Sequence, residues 1–193
     1  MQVKKDDIQK NIVESATDEF LKKGYENASL RNIAKKANTT LGNIYHYYKN
    51  KQELLEVIVE PVLRNIEVTL KNHIENSKKI PLSKAEVLKY IYQLEKDFDA
   101  SELACFFDKK VLILLSLKTT DLYDRKQKVI ELIQKHFEEH FNLKDAHYSE
   151  VVLEVLVESL RHVLIEHEDM KMAKKEFVAL FKLFSTGIIG QMK

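Results

Sequence analysis

Residues 29–48 read SLRNIAKKANTTLGNIYHYY, and this stretch decides the fold. Leu30, Ile33, Ala34 and Ala37 fall on one face of a short helix that Ser29 is placed to cap. Ile44 and Tyr48 fall on one face of a second short helix, with Thr39 or Thr40 as its cap. Only a very tight turn fits between them, and Asn38 stands where that turn needs left-handed backbone, which asparagine tolerates better than any residue except glycine. Ala34 is small where two helices must approach. The layout is a helix-turn-helix. Its second helix turns Gly42, Asn43, His46 and Tyr47 outward, a face of small, amide and imidazole groups able to read base edges in a major groove. Lys49 and Lys51 follow directly, where they can grip phosphates.

Working outward, Ile8, Ile12, Val13, Ala16 and Phe20 recur at helical spacing from about Asp6 to Lys23, and Gly24 ends that helix. A fourth helix begins near Asn50 and continues into the seventies, with Pro61 predicting a kink or break. The stretch Asn76 to Leu82 reads as a linker, and periodicity predicts further helices over about 83–99, 101–118, 120–141, 147–168 and 171–190. The fold class is therefore all-α, with about nine helices. The domain boundaries expected are 1–50 for a nucleic-acid-binding head and 51–193 for a second domain, with helix four, about 50 to 76, connecting them.

Composition agrees. The 193 residues are 45% hydrophobic and 32% charged, which excludes a disordered or collagen-like chain, and four Gly with two Pro supply too few turn residues for an all-β fold. The run Val111 to Leu117 is too short to span a membrane, and MQVKKDDIQKN lacks the apolar core of a signal peptide. A single cysteine, Cys105, excludes an internal disulfide framework, and a cytoplasmic protein is expected. The net charge of +1 hides an asymmetry: residues 1–51 carry ten Lys and Arg against six Asp and Glu, and the remainder 21 against 24. A basic end on a mildly acidic body suits a protein that touches a polyanion with one end.

With these residues in place, about 8–60 resemble the N-terminal domain of the tetracycline-repressor (TetR) family of bacterial transcription regulators. The matching pieces are IVESATDEFLKKGYENASLRNIAKKA and TTLGNIYHYYKNKQELL, including Phe20, Gly24, Ala28–Ser29–Leu30, Ile33–Ala34, Ala37, Gly42, Ile44–Tyr45, Tyr48, Lys51 and Leu54. The resemblance implies a DNA-binding head on a divergent ligand-binding body, dimeric through the last two helices. It also implies that Tyr45 and Lys51 contact phosphates, with Thr40, Asn43 and His46 nearest the bases. The full candidate DNA interface is Ser29, Arg31, Thr39, Thr40, Leu41, Gly42, Asn43, Tyr45, His46, Tyr47, Lys49 and Lys51. Three positions depart from the family pattern: Asn38 replaces a turn glycine, Thr39 an apolar residue, and Leu41 a polar or basic one.

Beyond residue 80 the chemistry is thinner. Val152, Leu153, Leu156, Val157, Leu160, Val163 and Leu164 cover an apolar arc too broad for one neighbour, and Phe177, Leu180, Phe181, Phe184 and Ile188 form a second stripe. These make a two-fold homodimer the expected assembly, with Leu156, Leu160, Val163, Phe177, Phe181 and Phe184 as its interface. Tyr90, Tyr92, Cys105, Phe106 and Asp108 are the candidate lining of an effector site, Asp108 sitting on the wheel between Ala104, Cys105, Leu112 and Leu115. Cys105 itself reads as a small buried hydrophobe, and His167 as a residue near a helix C-terminus, where an imidazolium favours the dipole. His136 and His140, four apart in HFEEH, share a helix face, but two ligands make no metal site, and no metal or cofactor is expected. No catalytic motif is present, so no enzyme is expected. The function expected is a DNA-binding regulator, a repressor released by a mostly apolar small molecule that acts through helix four, on a near-palindromic operator. A DNA- and protein-interaction scaffold without an inducer is the rival reading.

Overall fold

A computed structural model describes residues 3–77, 82–141 and 146–191. Among them are nine α-helices: α1 (Val3–Asn27), α2 (Leu30–Lys36), α3 (Leu41–Tyr47), α4 (Lys51–Asn76), α5 (Lys84–Lys96), α6 (Lys110–Ser116), α7 (Asp121–Phe141), α8 (Ala146–Glu166) and α9 (Met170–Gln191). They form two compact units, Met1–Asn65 with Lys109–Lys126, and Ile66–Asp108 with Gln127–Lys193. The expected linker at 76–82 and the gap between the helices expected at 120–141 and 147–168 fall largely outside the described residues.

Two expectations are corrected. The segment 101–118 is not one helix: short 3-10 turns at Phe98–Ala100 and Glu102–Phe106 precede α6. Side chains compete with the helical ladder there, because Asp97 accepts the Ala100 N–H at 3.3 Å and the Ser101 hydroxyl donates to the Phe98 carbonyl at 2.6 Å. Phe107 then leaves helical backbone altogether, at φ −94° and ψ 57°, so the wheel that grouped Asp108 with Ala104 and Leu115 does not apply. Pro61, in contrast, does not end α4. Pro61 and Val57, whose carbonyl loses its N–H partner, are both exposed, so water can satisfy that carbonyl.

In the second unit α9 packs against α5 and α8. Val87, Ile91, Leu94, Leu160, Val163, Leu164, Phe177 and Phe181 are buried among them. Phe107 stands edge-on to both Phe98 and Phe177, at 4.7 and 5.3 Å between ring centroids. Four of the residues expected at a dimer interface, Leu160, Val163, Phe177 and Phe181, are thus spent inside one chain, and Leu156 and Phe184 are half-buried. The apolar surface that α8 and α9 leave open shares only Phe184 with that expected set. Tyr148, Val151, Val155 and Leu183 are exposed, Leu183 by 65%, and with Val152, Phe184, Gly187 and Ile188 they line a concavity of about 300 Å³.

In the first unit α1 packs against α2 and α6, and α2 against α3; Ile12, Ala16 and Phe20 of α1 are buried there together with Ile33, Ile44, Leu54, Leu55 and Ile58. Gly24 adopts φ 71° and ψ 162°, which kinks the chain shortly before the end of α1. The turn after α2 is a Schellman motif: the Thr39 N–H reaches the Ala34 carbonyl at 2.9 Å, the Asn38 N–H reaches Lys35 at 3.3 Å, and Asn38 takes φ 51°. Asparagine therefore fills the left-handed position that the sequence assigned to it. We expect Asn38→Gly to be tolerated and Asn38→Val to cost about 1–2 kcal/mol in urea denaturation, with an unchanged m value, because a branched side chain is strained there.

Candidate nucleic-acid interface

Helix α3 has seven residues, too few to be stable alone. Its start is fixed by Thr40, whose hydroxyl accepts the Asn43 N–H at 3.1 Å. Its inner side is held by buried Ile44 and Tyr48. What remains faces outward: Gly42, Tyr45 and His46 are exposed, and Leu41, Asn43 and Tyr47 are half-buried. Asn43 donates its amide to the Thr39 hydroxyl at 2.7 Å, so its carbonyl oxygen is presented in a set orientation. Tyr45, half inward on the wheel, is 51% exposed. The His46 ring stands edge-on to Tyr47, 5.4 Å between centroids. Gly42 has ordinary helical backbone, and a methyl group there would meet only the Thr40 hydroxyl, at 3.9 Å. The fold itself gives no reason for a glycine in this helix.

Helix α2 exposes Arg31 and Lys35, one turn apart, and Lys49 is exposed after α3, with Ser29 half-buried at the N-cap of α2. Lys51 is different. Its ammonium donates to the carbonyls of Tyr25, Glu26 and Ala28 at 2.7, 3.1 and 3.3 Å and lies 4.6 Å from the Tyr25 ring centre. All three protons are used inside the protein, binding the start of α4 to the end of α1. The start of α4 is capped by Asn50, which accepts the Glu53 N–H at 2.8 Å, while the Glu53 carboxylate accepts the Lys49 N–H.

Sequence reasoning missed the group that orients α2. Glu19 of α1 is 3% exposed and accepts from Lys36 at 2.6 Å and from Asn32 at 3.2 Å. The Lys36 hydrogen bond holds its carboxyl below the usual carboxylate range against the opposing effect of burial, with Asn32 assisting. The only signal in the sequence was a charged residue in line with Ala16 and Phe20 on the apolar stripe of α1.

The five effector candidates of the second unit are only partly brought together. Tyr90 donates its hydroxyl to Glu102 at 3.3 Å, and burial pushes its ionisation well up. Cys105 donates to the Glu102 carbonyl at 3.0 Å, and burial raises its thiol to about 12, so it stays protonated and unreactive. Phe106 and Asp108 are half-buried, while Tyr92 is 64% exposed. His167 closes α8 with its ring against Glu176 of α9. No helix among the described residues is long and apolar enough to cross a membrane.

Comparison with known proteins bears on the first unit above all. Residues 12–58 match a family model described as bacterial regulatory proteins, tetR family. An uncharacterized HTH-type transcriptional regulator of Haemophilus influenzae is 37% identical over 79 residues, 40% of this chain and 42% of that protein. The biofilm operon icaADBC HTH-type negative transcriptional regulator IcaR of Staphylococcus epidermidis is 33% identical over 66 residues, 34% of this chain and 36% of that protein. This chain thus spans less than half the length of either. The transposon Tn10 TetC protein of Escherichia coli is 28% identical over 181 residues, 90% of this chain and 88% of its own.

Glu19 makes the first unit sensitive to acid. Its folded-state pKa is depressed, so its contribution is present above the unfolded carboxylate value, about 4.3, and is lost as pH falls through the folded value. We expect Glu19→Gln to destabilise at pH 7 by about 1–3 kcal/mol and to flatten the acid limb of stability against pH, read by denaturation monitored at several pH values.

Proposed function

We propose that this chain is a transcriptional regulator of the TetR family, which binds operator DNA as a homodimer through the outward face of α3 and represses transcription there. Gly42 carries the reading. A helical glycine costs about 1 kcal/mol relative to alanine, and no backbone angle or neighbouring atom in the protein requires one. Close approach of a DNA backbone does supply a reason. Asn43 and His46 then face the base edges, Tyr45, Lys49 and Arg31 the phosphates, with Ser29, Thr39, Thr40, Leu41 and Tyr47 bordering the contact. Lys51 reaches a phosphate only by exchanging a carbonyl for it, so its first effect is on stability.

Two α3 helices of a dimer reading successive major grooves stand about 34–36 Å apart, which makes the operator near-palindromic. Selection from random duplex DNA should return such a motif. Gly42→Ala should raise thermal stability by about 0.5–1 kcal/mol and yet weaken binding to the selected motif, measured by fluorescence anisotropy. Stabilisation with unchanged affinity would remove Gly42 from the interface, and a selection without any motif would remove the reading itself.

The dimer is assigned to the open apolar face of α8 and α9 around Tyr148, Val151, Val155 and Leu183. Leu183→Glu should convert a dimer to a monomer with native helicity, seen by light scattering at micromolar concentration, because the side chain is exposed within one chain and its change spares the core. Release from DNA is assigned to a mostly apolar small molecule in the second unit, near Tyr90, Phe106 and Asp108. Its effect would pass along α4, whose residues 51–65 belong to the first unit and 66–76 to the second.

A further inference from the structure

Three imidazoles meet in the second unit. His136 and His140 project from successive turns of α7 with their ring centres 4.2 Å apart, and His73, from the last turn of α4, stands 4.8 Å from His136 and 6.4 Å from His140. One ring nitrogen from each residue lies within 4.8 Å of the other two. The HFEEH spacing supplied two of these groups; the fold supplies the third from a distant helix.

The environment is built around these nitrogens. His73 Nδ1 lies 2.6 Å from a Glu102 carboxylate oxygen, which leaves Nε2 as its ligand atom, with the carboxylate behind it fixing the ring. Glu102 is fixed in turn, since its other oxygen accepts the Tyr90 hydroxyl. The carbonyl of His140 accepts the Leu82 N–H at 2.8 Å, which anchors the end of α7. His136 Nε2 is buried with no hydrogen-bond partner among the described residues, an arrangement that costs about 1–3 kcal/mol unless something accepts its lone pair. A metal ion is such a group.

The donor set selects the ion. Three imidazole nitrogens without thiolate suit zinc and its neighbours copper and nickel, whereas calcium and magnesium require oxygen ligands. Around zinc at about 2.0–2.1 Å the nitrogens of a tetrahedral site stand roughly 3.3 Å apart, and here one ring nitrogen of each residue lies within 4.8 Å of the others, a difference that side-chain torsions can close. Three protein ligands leave the fourth position to water or to an added anion. Carboxylate support of a ligating histidine is itself a recurring feature of such centres. We propose that His73, His136 and His140 form a binding site for one transition-metal cation of the zinc class, with Glu102 as the residue that positions His73. The site is independent of the DNA-reading face of α3.

The test uses the full chain without an affinity tag, stripped with chelator and titrated with zinc by calorimetry, and with cobalt by visible absorption. We expect one ion per chain, a thermal transition that rises with zinc, and a cobalt spectrum of low coordination number. His136→Gln and His140→Gln should each weaken zinc at least tenfold and abolish that spectrum. Glu102→Gln, which removes no ligand, should weaken zinc by about 10–100-fold. His147→Gln, on the exposed start of α8, should change nothing. Circular dichroism of each variant checks the fold, and the wild-type titration alone decides the matter should a variant fail to fold. No saturable binding by the wild-type chain, or equal binding by the His136 and His140 variants, would overturn the proposal. Neither outcome touches operator binding, which is measured separately.

Discussion

The carboxylate of Glu19 lies inside the packed face of α1 and takes hydrogen bonds from two residues of α2. A helix of seven residues has little means of fixing its own rotation about its axis, since its apolar stripe is only Leu30, Ile33, Ala34 and Ala37 wide. A buried acceptor with two directional donors supplies what packing alone leaves loose. Once α2 is set, the Schellman turn at Asn38 sets the exit direction of the chain, and the Thr40 cap starts α3 at a defined angle. The outward face of α3 is thus a consequence of a charge placed one helix and one turn away.

Around that frame the polar groups divide by whether the protein itself satisfies them. Lys51 and Lys36 are engaged by the fold; Arg31, Lys35 and Lys49 remain at the surface. The distinction separates basic residues that build the first unit from those available to a polyanion, which the net charge of the segment cannot do. Gly42 belongs with the second group, since the fold tolerates a side chain there and gains nothing from its absence.

The second unit shows the same division among apolar groups. α9 spends Phe177 and Phe181 on α5 and α8 and keeps Leu183 outside. Polar contacts tie the same helices together at their edges: Lys182 pairs with Glu95 of α5 at 2.7 Å, and the His167 ring meets the Glu176 carboxylate across the α8–α9 corner. The open apolar surface that remains is contiguous, which is the property that distinguishes a site of association from scattered exposed residues.

Periodicity alone determined the helices that are long and amphipathic, and the pattern around Asn38 determined the turn, because left-handed backbone admits so few side chains. It also determined which side of α3 faces out, since Ile44 and Tyr48 can be buried only one way. Sequence misjudged 101–118, where Asp97 and Ser101 divert backbone hydrogen bonds locally, and of the kink or break it offered at Pro61 the break does not occur, since α4 runs through that residue. Only the tertiary structure decided that Lys51 is spent on three carbonyls, that Leu160 and Phe181 are consumed inside one chain, and that His73 joins His136 and His140. Each of these depends on contacts between residues far apart in the chain, and a helical repeat records which face of a helix is apolar but not which neighbour that face will meet.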